Sequence, residues 1–371
     1  MDSSPAGQLL LVGVPGPELD AATAAILRRV QPGGFILFTR NLVSPAQTRR
    51  LLDDLRDLSR VEPILTIDQE GGRVSRLKAI GTEPPGATQL RERNDPDLVR
   101  RHGELTARLL RLFGFNLDLA PVLDLCLDGN EEADNSLRGR CYGTDVPQVL
   151  RLAGAFSDAL RAGGILNCGK HFPGYTAAGS DAHHELPVID RSRAELDATE
   201  LAPFRDFIAR GALDSTMVCH AHYPQLDTEH QPASLSANVI RGLLREELGF
   251  RGLVMTDDLD MGAIYHRYGL EDALRRALLA GNDLAMICHR VEALGSARDF
   301  LAAQPAALLD RALAAVADFK QKLAPPAPVF SEAAFRAIDA EIWDLRVATL
   351  GAEAAAQRSP EDGKRSPVEI Y

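Results

Sequence analysis

Eight short apolar runs, each followed by a segment with helical spacing, constrain this chain more than any other feature. They lie at 8–14, 34–38, 63–67, 115–125, 164–169, 215–220, 252–256 and 283–287, and most are nearly continuous Leu, Ile, Val or Phe. Strict alternation would mark strands with one wet face. Continuous apolar character marks strands buried on both faces. The segments between them carry helix punctuation. "SPAQTRRLLDDLRDLSR" opens on Ser44 with Pro45 next, and "DVPQVLRLAGAFSDALRAGG" opens on Asp145 and ends on Gly163 and Gly164. Ser or Asp as a cap, Pro in the first turn and Gly past the last turn are the expected start and stop signals. Strand alternating with helix implies parallel strands. Eight such units predict an α/β fold, a closed (β/α)8 TIM-type barrel in a single domain over 1–325. An open doubly wound sheet is the alternative. It would carry a Gly-rich phosphate loop after its first strand, and "VGVPGPELD" at 12–20 is not G-x-G-x-x-G.

Past Pro325 the alternation stops. A Pro-rich joint, "APPAPVF", leads into helical sequence, read as a short helical C-terminal extension over 326–350 packed on the barrel. Residues 351–371 are polar and are expected to be a disordered tail. The net charge is -11 with no basic cluster, which argues against a nucleic-acid partner. No apolar run reaches the roughly 18 residues of a membrane helix. The N-terminus lacks a basic stretch ahead of a long apolar core, so we read no signal peptide and expect a cytoplasmic protein with no membrane partner. The five cysteines (Cys126, Cys141, Cys168, Cys219, Cys288) are odd in number and form no C-x-x-C pair. They read as reduced core thiols rather than a disulfide frame or zinc site, and no metal or cofactor is expected.

Barrel enzymes work at the C-terminal ends of their strands. The residues at those ends are Thr39, Arg40 and Asn41 for the second run, Asp68 for the third and Asp124 for the fourth. Lys170 and His171 follow the fifth, His220 and His222 the sixth, Asp257 and Asp258 the seventh, Cys288 and His289 the eighth. Helix caps and solvated faces do not produce such regular recurrence. Asp257 directly follows a buried apolar run, where a carboxylate is costly unless used or paired. Asp258 and Asp260 read as caps of the following helix. If Asp257 is a nucleophile toward a sugar, a proton donor is needed for the departing oxygen. His183 could serve, with Asp181 two residues earlier orienting its imidazole. Taken alone, D-x-H on a loop equally describes a surface hydrogen bond or part of a metal site. Lys170 and His171 suit donation to substrate hydroxyls, or an ion pair inside the barrel mouth.

Six stretches together resemble the single-domain β-N-acetylhexosaminidases of glycoside hydrolase family 3. They are "GGFILFTRN" (33–41), "IDQEGGRVSRL" (67–77), "LAPVLDL" (119–125), "RGRCYGTD" (138–145), "GKHFPGYTAAGSDAHHELP" (169–187) and "ELGFRGLVMTDDLDMGAI" (247–264). The resemblance implies a retaining exo-glycosidase that removes terminal β-linked N-acetylglucosamine from cell-wall muropeptide fragments during peptidoglycan recycling. Asp257 matches the family's nucleophile, His183 its general acid/base and Asp181 that residue's partner. Asp68, Arg76, Arg140, Lys170 and His171 match its substrate-binding positions. The chain departs from the pattern at Tyr175 and Thr176, where the family usually has His and Gly, and at Ala182, where it has Ser. With no second domain after Pro325 to lend an acid, the loop after the fifth strand is the expected source.

Other readings stand beside this one. A β-glucosidase or broad-specificity β-hexosaminidase would share the motifs. A zinc hydrolase would use His171, His183, His220, His222 and Asp257. A lyase or aldolase would use Lys170 as a Schiff-base amine. A catalytically impaired sugar-binding barrel would keep the pocket without the chemistry.

Overall fold

The computed structural model describes residues 4–126, 136–325 and 327–357. All eight expected strands form: β1 (Leu10–Gly13), β2 (Gly34–Leu37), β3 (Ile64–Ile67), β6 (Leu117–Asp118), β7 (Leu166–Phe172), β8 (Ser215–Val218), β9 (Leu253–Asp258) and β10 (Leu284–Ile287). A hairpin of β4 (Gln69–Gly71) and β5 (Val74–Ser75) is inserted directly after β3. Each barrel strand pairs in parallel with its neighbours in chain order, and β1 closes the ring on β10 through Leu10 opposite Ala285 and Leu11 opposite Met286. Closure leaves no unpaired edge among the eight described barrel strands, so the fold is the (β/α)8 barrel and not the open sheet.

The helices are α1 (Ala21–Val30), α2 (Pro45–Leu58), α3 (Ala87–Arg93), α4 (Pro96–Phe113), α5 (Val146–Ala162), α6 (Arg193–Ala198), α7 (Leu201–Ala209), α8 (Gly262–Tyr268), α9 (Leu270–Ala280), α10 (Leu294–Ala302), α11 (Ala306–Lys320), α12 (Glu332–Leu350) and α13 (Ala352–Ala355). The punctuation read from the sequence is used as such. Ser44 Oγ accepts from Gln47 N at the start of α2, and Asp145 Oδ1 accepts from Gln148 N at the start of α5. Between β8 and β9 the crossover is a π-helix, Asn238–Glu247, that buries Val239, Ile240, Leu243 and Leu244. Several strands differ in extent from the apolar runs. β7 and β9 extend past their runs, so Lys170, His171, Asp257 and Asp258 lie within the strands of the wall itself. The fourth run shrinks to two ladder residues, because Pro121 has no N–H to give. The chain nevertheless stays beside β7, through Lys170 N to Pro121 O (3.2 Å) and Leu123 N to Lys170 O (2.7 Å). That contact brings Asp124 next to His171.

β1, β2, β3, β8 and β10 are buried along their whole length, including the polar Thr66, Ser215 and Thr216. Outside the barrel, Phe330 and Phe335 pack on Phe113 of α4, with ring centroids 6.1 and 5.8 Å away. Arg346 of α12 is buried, and donates to Glu83 and to the Ala355 carbonyl of α13. Residues 358–371 of the expected tail lie outside the described residues. Among the described residues no single helix is long and apolar enough to cross a membrane.

Candidate active site

The strand ends surround a partly open cavity. Asp68, Arg76, Arg140, Lys170, His171, Asp181, His183 and Asp257 all line it, as do Tyr175 and His220. Residues spread over almost two hundred positions therefore share one space.

One wall is a continuous ionic chain. Lys170, only 2% exposed, places its ammonium 2.7 Å from Asp68 Oδ1 and 2.7 Å from Glu70 Oε1. Arg76 Nη2 donates to Asp68 Oδ2 at 3.2 Å. Arg140 clasps Glu70 with two donors, Nε at 2.9 Å and Nη2 at 2.8 Å, and its Nη2 lies 3.3 Å from His171 Nε2. His171 Nδ1 lies 2.7 Å from Asp124 Oδ2. Burial would raise the acids, but the cations outweigh it. Lys170 and Arg76 hold Asp68 well below the usual carboxylate range, and Arg140 and Lys170 bring Glu70 down to about 2. Burial would likewise lower Lys170, yet Asp68 and Glu70 keep it above its ordinary value. An ammonium held charged between two carboxylates is a poor amine nucleophile, which counts against the Schiff-base reading.

Sequence reasoning missed Glu70 and Asp118. Glu70 stands two residues after Asp68, and that spacing puts two side chains of an extended segment on the same face. The hairpin turn at Gly71 (φ 100°) and Gly72 (φ 54°) folds the segment back over the mouth. Asp118, fully buried on β6, accepts from Gln69 N at 3.0 Å. Burial pushes its carboxyl up to about 8 against that hydrogen bond, with Asp68 and Glu70 adding repulsion. Its apolar flanks, Leu117 and Leu119, gave no sign that it underlies the ion network.

The facing wall holds Asp257 and the histidine loop. Asp257 is half-buried, and its Oδ1 accepts from Asp258 N at 2.8 Å. His183 Nδ1 is hydrogen-bonded to Asp181 Oδ1, which also accepts from His183 N at 3.0 Å. Burial would raise Asp181, but this hydrogen bond to His183 holds its carboxyl below the ordinary value. The loop is fastened to the start of α8, where Gly262 N donates to His183 O (3.1 Å) and Ala263 N to Ala182 O (3.2 Å). These amides would otherwise be the orphan donors of a helix start. The expectation that Asp258 and Asp260 cap this helix is therefore corrected. Asp258 Oδ1 accepts from Asp260 N and Cys288 N, and Asp260 accepts from His289 N and Arg290 Nε. Both acids tie the end of β9 to the end of β10 rather than capping α8.

The zinc set of the sequence reading does not assemble. His171 turns to Asp124, His220 is fully buried between Ser234 Oγ (2.7 Å) and the Asp258 carbonyl (2.9 Å), and burial lowers its basicity. His222 lies outside the cavity lining, against His230 and the Gln231 carbonyl. Among the described residues no three His, Cys, Asp or Glu side chains are arranged to hold a metal ion. Arg40 and Asn41 bond backbone carbonyls, Cys288 O and Val14 O among them, and brace the rim.

Fixed cationic donors, the half-buried Asp257 carboxylate and the Asp181–His183 pair share this mouth. Residues 4–317 match the glycosyl hydrolase family 3 N terminal domain, and the chain belongs to glycoside hydrolase family 3. A β-hexosaminidase of Tolumonas auensis is 37% identical over 282 residues, covering 76% of this chain and 82% of that protein. One of Vibrio cholerae is 37% identical over 285 residues, covering 76% and 83%. Among solved structures, a family 3 β-N-acetylglucosaminidase from a Paenibacillus species matches with TM-score 0.81 at 34% identity, over 92% of this chain and 68% of that one. NagZ from Neisseria gonorrhoeae matches with TM-score 0.77 at 28% identity, over 94% and 98%.

Proposed function

We propose that this protein is a retaining exo-β-N-acetylhexosaminidase that removes terminal β-linked N-acetylglucosamine from cell-wall muropeptide fragments in the cytoplasm. The β-hexosaminidase relatives support the activity; the muropeptide substrate and the cytoplasmic setting rest on the family resemblance. The observation that carries the mechanism is that Asp257 and the Asp181–His183 pair line one cavity opposite the ion network.

Asp257 attacks the anomeric carbon while His183, protonated and oriented by Asp181, gives its proton to the departing glycosidic oxygen. The glycosidic C–O bond breaks as the ester bond to Asp257 forms. In the second step the now neutral imidazole takes a proton from water, the water oxygen bonds to the anomeric carbon, and Asp257 leaves as carboxylate. Two inversions give net retention. A neutral imidazole does not repel an anionic acceptor, so transfer to phosphate is compatible with the same site. Asp68 accepts from sugar hydroxyls, and Lys170, Arg76, Arg140 and His171 donate. The network holds these groups in place before substrate arrives, so little reorganisation is needed at the moment of reaction.

Asp257→Ala should lose turnover of an aryl β-N-acetylglucosaminide by several orders of magnitude while keeping its circular dichroism. Turnover near wild type would remove Asp257 from the nucleophile role. In His183→Ala, glycosylation by substrates with very good leaving groups should be far less impaired than by poor ones; equal losses count against an acid. Faster turnover of the aryl β-glucoside than of the N-acetylglucosaminide would move the assignment to a β-glucosidase.

A further inference from the structure

We infer that Tyr175 is a positioning residue, whose hydroxyl holds the loop of Asp181 and His183 in the cavity before substrate binds. This rests on the reading of His183 as acid/base. Residues 174–187 form no helix or strand, and such a segment ordinarily opens at low free-energy cost. Here one buried oxygen ties it down. The Tyr175 hydroxyl donates to Ser180 O at 3.1 Å and accepts from Ala182 N at 3.0 Å, so the chain is gripped on both sides of Asp181. Tyr175 is 4% exposed, and burial keeps its phenol well above its ordinary pKa, so it remains a donor.

The anchor is itself fixed to the sugar-binding wall. Tyr175 N donates to Asp124 Oδ1 at 2.6 Å, while Oδ2 of the same carboxylate accepts from His171 N and meets His171 Nδ1. Asp124 thus couples His171, one of the residues assigned to the sugar, to the tyrosine that holds the acid/base loop. The Tyr223 hydroxyl adds a bond to Gly174 O at 2.5 Å. The amides of Gly262 and Ala263 secure the far end of the loop. Distance between the two walls is therefore set by a short run of bonded groups rather than by loop closure alone.

The test is Tyr175→Phe in the full chain, which keeps the ring and removes the oxygen. Amide hydrogen exchange at 180–184 should speed up by about tenfold or more, reporting loss of local protection. Turnover of an alkyl N-acetylglucosaminide, which needs a proton donor, should fall on the order of 10- to 100-fold. Glycosylation by a dinitrophenyl N-acetylglucosaminide, which needs no proton, should change little. Unchanged exchange, or equal losses on both substrates, overturns the proposal and leaves Tyr175 a packing residue. The same substrate pair on His183→Ala separates the two readings. If that variant shows no leaving-group bias, the acid assignment fails, and the exchange data alone decide whether Tyr175 pins the loop.

Discussion

Glu70 Oε1 stands 2.7 Å from Lys170 Nζ and 2.8 Å from Arg140 Nη2, so one carboxylate holds two cations together in one wall of the barrel mouth. Glu70→Gln keeps the shape and removes the charge. Breaking a buried pair in this way leaves uncompensated cations and costs about 3–5 kcal/mol. The melting temperature should drop, and kcat/KM on an aryl β-N-acetylglucosaminide should fall by about 100-fold as Lys170 and Arg140 shift. Wild-type values of both would show that Glu70 neither supports the wall nor places its donors.

Acid should erase that difference. Glu70 titrates near 2 in the folded chain against 4.5 ordinarily. Its contribution is fully present above about 4.5 and is lost as pH falls toward about 2. Denaturant titrations of wild type and Glu70→Gln should therefore converge across that window, and a constant gap would contradict the assigned charge state.

Asp118 acts in the opposite sense. Its folded value, raised to about 8 from 3.8, means that the folded chain keeps a proton the unfolded chain has released. The associated stability is full below about 3.8 and is lost as pH rises through about 8. Asp118→Asn has no such proton. Its stability relative to wild type should improve by up to about 1.4 kcal/mol per pH unit between those limits. A pH-independent difference would mean that Asp118 is ionised when folded.

His102 of α4 is buried against Phe156, and neither ring nitrogen has a protein partner among the described residues. Burial lowers it to about 4 from 6.5, so it is neutral when folded. Stability tied to it is full above about 6.5 and is lost as pH falls through about 4. His102→Leu should remove this dependence, and its stability relative to wild type should improve by roughly 3 kcal/mol from about pH 6.5 to the acid end. Parallel stability curves for the two proteins would disprove it.

Gly262 has no room for a side chain, since a Cβ there would meet His183 O at 2.5 Å and His184 O at 3.1 Å. Gly262→Ala should displace the histidine loop while α8 persists. Turnover with poor leaving groups should fall on the order of 10- to 100-fold, with melting temperature little changed. Unaltered turnover would mean that the loop tolerates a different seat.

Much of this protein was legible from local pattern. Continuous apolar runs, Ser44 and Asp145 as caps, and the charged residues at strand ends together predicted the closed barrel and put Asp68, Lys170, His171 and Asp257 at its mouth, whereas Arg76 and Arg140 were named only through the family resemblance. These features are local, because strand burial, capping and side-chain period depend on neighbours within one or two turns. Where local rules met long-range contacts they went astray. Pro121 shortened one strand, Asp258 and Asp260 bonded across to β10 instead of capping α8, and Glu70 and Asp118 passed unnoticed. The reach of the Tyr175 hydroxyl to Ser180 and Ala182 depends on how Asp124, 51 residues away by sequence, seats its backbone. The sequence alone determined the barrel and the kinds of groups at its mouth. Only the tertiary structure decided which charges neutralise one another, because pairing depends on distances set when the barrel closes.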